Sequence, residues 1–495
     1  MTDSGAGESV ASAPGEGLPE GWVRARIGDL CDVNPRAFDE EPGDDDLISQ
    51  VPMAFVEAES GRMDASTQVR FGDFKKKSLT RFQEDDVLFA KITPCMENGK
   101  IAKAKGLIGG RALGSTELHV LRSAGGVLPE YLMHYLLQRN VRRVAEQHMA
   151  GAVGQRRVPR SYLVGMEIPV PPLPEQRRIV AKLDEQLAHI EAGEASLREV
   201  ERLADEFSRA LLREAFSGRL VADDFSEGKA EDLVSGEARS SSEAWDTPDS
   251  WIWSRLGSLF RVSVGSTPSR GNPDFWSGDI PWVSSGEVSF KRIGETREFI
   301  SIDSISKPEN RIHPPGTVML AMIGEGKTRG QSAILDIPAA HNQNCASIRV
   351  SETEILPEFI YQFLVSRYEE TRTSASGGNQ PALNKAKVER ILVPVPPLGT
   401  QRRIVDKLAD LEQERAALRA VLAESDEQAS ALRGALLNAA FTGVLVPQDP
   451  TDEPASALLD RIRAQRQATV KPARKRALRK TTSKPASSGQ EELSL

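Results

Sequence analysis

Pro171-Pro172-Leu173-Pro174-Glu175-Gln176-Arg177-Arg178-Ile179-Val180 decides how this chain is read, because it occurs twice. The second copy is Pro396-Pro397-Leu398-Gly399-Thr400-Gln401-Arg402-Arg403-Ile404-Val405, which lies 225 residues further on. The same offset runs without a gap until Ala215-Phe216-Ser217-Gly218 meets Ala440-Phe441-Thr442-Gly443. An internal repeat of this kind governs the fold and has to be read first. Each copy predicts one long helix. The proline pair fixes an extended entry; after Pro174 no further proline follows until Pro248 in one copy, and after Pro397 none until Pro447 in the other. Gly218 and Gly443 supply a left-handed stop. Roughly 42 residues lie between, about 63 Å of helix.

Helices this long, charged on most faces, need a partner. In the first copy Leu183, Ile190, Leu197, Ala204 and Leu211 recur every seven residues, with a poor companion row of Gln186, Gly193, Val200 and Phe207. The second copy places Leu408, Arg415, Leu422, Ala429 and Leu436 in the matching row and Leu411, Leu418, Ser425 and Leu432 beside it. These partial heptads predict an antiparallel coiled coil formed within one chain. The helix-pairing set is Leu183, Ile190, Leu197, Leu211, Leu408, Leu411, Leu418, Leu422, Leu432 and Leu436. The alternative is two amphipathic helices, each packing on its own domain.

Length and composition bound the rest. A chain of 495 residues, 39% hydrophobic, holds two or more domains. No apolar run reaches the length of a membrane span, and the Gly/Ser/Ala-rich start reads as a tail and not a signal peptide. Cys31, Cys95 and Cys345 are far apart and the six histidines do not cluster, so neither disulfide nor metal spacing is present, and a reducing cytoplasm is expected. A net charge of −8 argues against a uniformly basic coat but leaves room for local patches.

Residues 1–17 form the expected tail, 18–173 a first domain, 174–221 the first helix and 222–247 a polar linker containing Ser240-Ser241-Ser242. Residues 248–398 form a second domain, 399–446 the second helix and 447–495 a tail. In that tail Ala455–Ala468 can form a short helix, followed by the basic run Lys471–Lys480. The domains share a skeleton. Pro248-Asp249-Ser250-Trp251 matches Pro19-Glu20-Gly21-Trp22, Val318–Ile323 matches Val87–Ile92, and Pro357–Tyr361 matches Pro129–Met133. Short alternating runs such as 51–56 and 87–92 predict strands, and Pro129–Leu137 a helix. The duplicated unit is therefore a domain plus a helix. A constant helix with a divergent domain suggests a fixed ruler carrying two different readers.

Residues 62–111 hold eleven basic and six acidic side chains, a patch able to neutralise phosphates. The preceding acidic loop, Asp39, Glu40, Glu41, Asp44, Asp45 and Asp46, is expected to be solvated. The second domain is charge-balanced over 267–330, with Gly/Ser/Asn/Trp-rich loops around Gly265–Pro273 and Pro281–Gly286 that suit phosphates and base edges or serve as turns and core.

Catalytic signatures were sought and not found. Ala321–Thr328 fits a loose phosphate loop but leads into Ser332-Ala333-Ile334-Leu335, which reads as a strand and not the helix such a loop requires. Glu325 and Lys327 echo a nuclease Glu-x-Lys, a tripeptide common by chance. Pro394-Val395-Pro396-Pro397-Leu398 lacks the polar first residue of an amino-methyltransferase signature.

The doubled Pro-Pro-Leu-x-x-Gln-Arg-Arg-Ile-Val…Ala-Phe-x-Gly-x-Leu resembles the conserved regions of specificity subunits of Type I restriction-modification systems, as does Gly265-Ser266-Thr267-Pro268…Trp276…Gly278-Asp279-Ile280-Pro281-Trp282-Val283-Ser284. The resemblance covers about Leu18 to Val446. It implies an α+β fold: two target recognition domains, mixed α/β with small sheets, separated by two long helices in an antiparallel coiled coil with pseudo-twofold symmetry. It further implies a non-catalytic subunit that binds a bipartite site on double-stranded DNA and docks two modification (methyltransferase) subunits and the restriction/translocase subunits. S-adenosylmethionine, ATP and magnesium would sit on those partners, with none in this chain, and no membrane would be involved. Candidate DNA contacts are Lys75, Lys76, Arg81, Lys91 and Lys100 in the first domain and Arg270, Ser284, Ser285, Lys327, Arg329 and Asn379 in the second. Two other readings stand beside this one: a coiled-coil scaffold without a DNA role, and a fused methyltransferase or nuclease with unrecognised motifs.

Overall fold

The computed structural model describes residues 17–35, 38–152, 154–234, 245–324, 327–373 and 383–469. The chain forms two compact units. One comprises the residues up to Gly193 together with those from Glu427 onward, and the other Glu194–Asp426. Both long helices run through this division. The first spans Leu173–Phe216 and the second Leu398–Thr442.

In the first unit a two-stranded antiparallel ribbon, Val23–Arg26 with Glu167–Val170, leads into the first long helix. One four-stranded sheet has the order Cys31–Val33, Leu118–Ser123, Val87–Ala90, Ile101–Lys103. A second has the order Gln68–Arg70, Leu47–Val51, Arg111–Gly114, Thr80–Gln83, with Leu47–Val51 parallel to Arg111–Gly114. The Val87–Ala90 strand is buried on both faces, which explains its unbroken apolar run. The strand expected over 51–56 instead lies over Leu47–Val51, after which Pro52 turns the chain into a short 3₁₀ turn, Met53–Phe55.

The second unit repeats the ribbon as Ile252–Arg255 with Leu392–Val395. Its larger sheet follows the same order, Val262–Val264, Cys345–Ile348, Val318–Ala321, Ser332–Leu335, and adds Lys291–Ile293 at the edge. A three-stranded sheet of Glu298–Ile300, Ile280–Val283 and Ala340–His341 stands where the first unit has four strands. The duplicated skeleton is therefore ribbon, shared sheet order and long helix, and the other sheet of each unit diverges.

The repeated motif has a physical reason in each unit. The Gln176 side chain is fully buried; its Oε1 accepts from the Leu128 N–H at 2.8 Å and its Nε2 donates to the carbonyls of Pro171 and Gly126. Gln401, equally buried, accepts from the Leu356 N–H at 3.1 Å and donates to Pro396 O. Leu128 and Leu356 cap the helices Pro129–Leu137 and Pro357–Ser366. One amide thus locks the start of each long helix onto the first helix of its own domain. Gln176 thereby satisfies main-chain groups that could not be left buried and unpaired.

The far end of each long helix packs against the other copy of the domain. In the second unit Phe216 lies 5.4 Å from both Phe359 and Phe363. In the first unit Phe441 meets Tyr131 at 5.0 Å and Tyr135 at 5.2 Å. Leu183 shares a core with Leu437 and Ala440, and Ala215 with Ile404 and Leu408. Within each unit the helices therefore run antiparallel, as the heptads predict. Leu183 and Leu408 are buried, and Ile190, Leu197, Leu211, Leu411, Leu418, Leu422 and Leu436 are half-buried. In the seam Arg415 bonds Asp205, which Arg419 also approaches at 3.7 Å. A specific polar contact within a largely apolar seam favours one register.

Two details of the seam differ from the sequence reading. Leu432 is 52% exposed, and Arg433 takes the inward position instead. In the first helix the inward companions lie four residues after the heptad row, at Leu187, Glu194 and Ser208, leaving Val200 and Phe207 exposed. A straight helix has 3.6 residues per turn, so a strict seven-residue count drifts about 20° per heptad and the stripe compensates with an extra four-residue step.

The repeat also runs past Gly218 and Gly443. Ala230 and Ala455, again 225 apart, are both buried, at the starts of the helices Ala230–Leu233 and Ala455–Thr469. In the first unit Leu459 and Ile462 of that last helix are buried, and Arg466 reaches Gly28 O and Asp32.

The glutamine lock predicts the effect of Gln176→Met and Gln401→Met, which keep volume but orphan the buried N–H and C=O groups. Each should destabilise its own unit by about 2–3 kcal/mol, measured by chemical denaturation with hydrogen exchange assigning the loss to the altered unit. Unchanged stability would remove the glutamine from its structural role.

Candidate nucleic-acid interface

In the first unit the basic residues line up on the second four-stranded sheet and its neighbours. Arg81 lies on Thr80–Gln83, Arg111 on Arg111–Gly114, Arg70 on Gln68–Arg70 and Arg122 on Leu118–Ser123. Lys75 follows the turn Phe71–Phe74. The guanidinium of Arg81 lies 5.8 Å from the Phe38 ring centre and 5.5 Å from that of Phe71, so its position is set by packing as well as charge. Arg122 is anchored by the buried Asp86, through Nε and Nη2 at 2.9 Å each. Burial pushes the Asp86 carboxyl above its usual range, and the Arg122 bonds pull it back.

The acidic loop that the sequence suggests is solvated in fact lies against these cations. Asp39 pairs with Arg122, Glu40 with Arg111, Glu41 with Arg81, Asp44 with Lys75 and Asp45 with Arg70. Residues far apart in sequence meet here only because strands bring them together. Arg122 lies outside the basic stretch that composition picks out, so composition carries no signal for it.

The remaining first-domain candidates separate. Lys76 is exposed beside Lys75. Lys91 is half-buried at the end of Val87–Ala90, its backbone tied to Glu117 and Val158. Lys100 is elsewhere: its ammonium donates to Met53 O and Val56 O at 2.9 Å, tying down the 3₁₀ turn.

In the second unit Arg270 stacks 3.5 Å over Trp276, with Trp282 5.6 Å away, and bonds Glu298. Those bonds hold the Glu298 carboxyl below its usual range. Ser284 Oγ donates to Glu287 in a capping box, and Ser285 opens the short turn that follows. Lys327 is exposed, with its carbonyl accepting from Tyr368 Oη. Arg329 donates to Arg372 O at 3.1 Å. Lys327, Arg329, Tyr368 and Arg372 thus gather in one hydrogen-bonded cluster. Asn379 and Glu325 lie outside the described residues. The loose phosphate loop is followed by the strand Ser332–Leu335 and has no helix N-terminus to present.

Polar chemistry that resembles a site elsewhere is structural. His313 and His341 face each other at 3.2 Å inside the second unit, with Ser347 and Arg349 bonded to His313. Burial pushes His313 down to about 2 and His341 down to about 4, so both are neutral core residues at ordinary pH. Among the described residues no group of three or more His, Cys, Asp or Glu could hold a metal ion. Among them, too, no helix is long and apolar enough to cross a membrane.

Comparison with known proteins gives this arrangement a family. The model of the Type I restriction modification DNA specificity domain matches residues 19–202 and again 248–424, one match for each copy of the repeat. The chain belongs to the Type I restriction-modification specificity family. It is similar to the EcoAI specificity subunit of Escherichia coli, 25% identical with 86% of this chain and 83% of that one covered. The EcoEI specificity subunit of the same organism is 24% identical over the same shares. Among solved structures, a chain from a study of complex assembly and conformational transition of the type I R-M system superposes with a TM-score of 0.69 at 21% identity, covering 86% of this chain and 99% of that one. The HsdS subunit from Thermoanaerobacter tengcongensis gives 0.52 at 21% identity, covering 86% and 98%. These neighbours share the fold described above. The specificity subunits of such enzymes recognise and do not catalyse, and this chain is of that kind.

Proposed function

We propose that the chain reads a bipartite, asymmetric site on double-stranded DNA, one half-site with each divergent domain, and holds two modification subunits and the restriction/translocase subunits around it. The observation that carries this reading is the contrast within the repeat. The helices and their glutamine locks recur at a fixed offset, while the second sheet of each unit differs in strand number and in the polar side chains it presents. A constant frame with two unlike surfaces fits two unlike half-sites. Phosphate contacts would position each domain and groove contacts would specify bases. The first-domain candidates are Lys75, Lys76, Arg81 and Lys91, and those of the second are Arg270, Ser284, Ser285, Lys327 and Arg329. S-adenosylmethionine, ATP and magnesium belong to the partner subunits in this scheme, and the complex works in the cytoplasm, where its DNA is.

The helices offer a docking face. Val200, Leu203 and Phe207 are 43, 50 and 58% exposed, and their spacing of three and four puts them on one side of the first long helix. Outside the seam, such a stripe suits the apolar helices of a modification subunit. Phe207→Arg should abolish co-purification of the modification subunit while leaving the melting temperature of the chain unchanged; retained co-purification would move the docking face elsewhere.

The half-site spacing is the sharper test. Asp205 meets Arg415, so residue numbers of facing positions add to about 620, and on that count Gly193 falls opposite Glu427 of the same unit. Matched four-residue insertions after Gly193 and after Asp426 keep the three-four stripe and lengthen the helices by about 6 Å. The methylated motif should keep both half-sites and gain a longer spacer. An unchanged spacer would contradict the ruler.

A further inference from the structure

We infer that Arg70, Lys75, Arg81, Arg111 and Arg122 form a phosphate track for DNA, and that the acidic segment Asp39–Asp45 is an internal strap that occupies this track until DNA displaces its carboxylates. The inference rests on the DNA-reading function proposed above and adds a site and a competitor to it.

The pairing is one to one and in reverse chain order. Going from Asp39 to Asp45, the carboxylates meet Arg122 at 2.9 Å, Arg111 at 3.2 Å, Arg81 at 2.8 Å, Lys75 at 2.7 Å and Arg70 at 3.2 Å. Five anions in a row on five cations in a row is the charge pattern that a DNA backbone would present to the same residues. Three of the five cations are the fixed partners. The side chains of Arg122, Arg111 and Arg81 are 15, 24 and 26% exposed, and Arg122 and Arg81 have further anchors in Asp86 and the Phe38 and Phe71 rings. The carboxylates are the loose partners: Glu40 is 87% and Asp45 92% exposed.

The backbone of the strap is held independently of these pairs. Phe38 is buried against Phe71 at one end, Ile48 is buried at the other, and Pro42 is buried between them. Main-chain bonds tie Gly72 N–H to Asp44 O and Phe71 N–H to Asp46 O. The carboxylates can therefore turn outward while the loop stays folded. Exposed ion pairs contribute only about 0–1 kcal/mol each and weaken with salt, so an incoming polyanion that releases counterions can displace them. The strap makes weak, non-specific DNA a poor occupant and leaves the track to DNA that is also held by base contacts.

The test compares four forms of the full-length chain on a random-sequence 30-base-pair duplex by fluorescence anisotropy at about 0.1 M salt. These are wild type, the strap variant D39N/E40Q/E41Q/D44N/D45N, the track variant K75Q/R81Q/R111Q, and the two combined. The strap variant should bind the duplex about tenfold tighter or more, with the gain shrinking as salt rises, and the combined variant should show none of that gain. Equal affinity of wild type and strap variant, or the same gain in the track background, would overturn the strap, the second result marking a general charge effect. Wild type that binds duplex while the strap variant matches it leaves DNA reading intact and removes only this inference. Failure of every form to bind duplex, with or without the modification subunit, overturns both. Equal melting temperatures certify folding, and the milder pair E40Q/D45N, altering the two most exposed carboxylates, should give a smaller gain of the same sign.

Discussion

A buried glutamine amide at the root of each long helix is the contact on which the rest depends. Gln176 and Gln401 each join three things: the extended entry strand, the start of the long helix and the N-terminus of a domain helix. Without that lock, a helix of more than forty residues would leave its domain at an undefined angle. With it, the direction of the helix becomes a property of the domain. The phenylalanine at the far end does the converse: Phe216 enters the aromatic cluster of the second domain and Phe441 that of the first. Each domain thus holds the beginning of one helix and the end of the other. Gene duplication alone explains the likeness of the copies; this reciprocal anchoring explains why the helices change far less than the surfaces they carry.

Freed from holding the frame, the domain surfaces diverge in kind. The first carries a row of cations on strand ends, matched by its own carboxylates. The second is charge-balanced and relies on an arginine stacked on tryptophans, with a further cluster around Lys327, Arg329, Tyr368 and Arg372. Electrostatic attraction is sequence-blind and strongly salt-dependent, whereas planar stacking and short polar side chains act at close range. If the two domains read DNA as proposed, one sheet order would therefore carry two different balances of affinity and selectivity. One interior polar contact recurs with a different source: Trp22 bonds Glu175 in one unit and Trp251 bonds Asp223 in the other, the carboxylate supplied by the helix in one case and by the segment after it in the other.

The long helices were legible because their signal is local and doubled. Proline entry, glycine exit and the heptad row all lie in one stretch, and the second copy confirms the first. The seam failed in detail at Leu432 and at the companion row of Val200 and Phe207, because a count of seven cannot follow 3.6 residues per turn over six turns or more. The candidate interface was only partly legible. Composition finds a basic stretch but cannot distinguish Arg81, which faces outward, from Lys100, whose ammonium is taken by two carbonyls. It cannot see Arg122 joining Arg81 across strands, nor that the acidic loop some thirty to eighty residues away in sequence closes over them. Those relations exist only once parallel and antiparallel pairings bring distant segments together.

The central claim, that this chain sets which DNA sequence is modified, is tested most directly by mapping methylated adenines in cells that carry the modification subunit, with and without this chain. The account predicts that one interrupted motif, two unlike half-sites around a fixed spacer, is methylated with the chain and unmodified without it. A methylation map that is the same in both cells would contradict it.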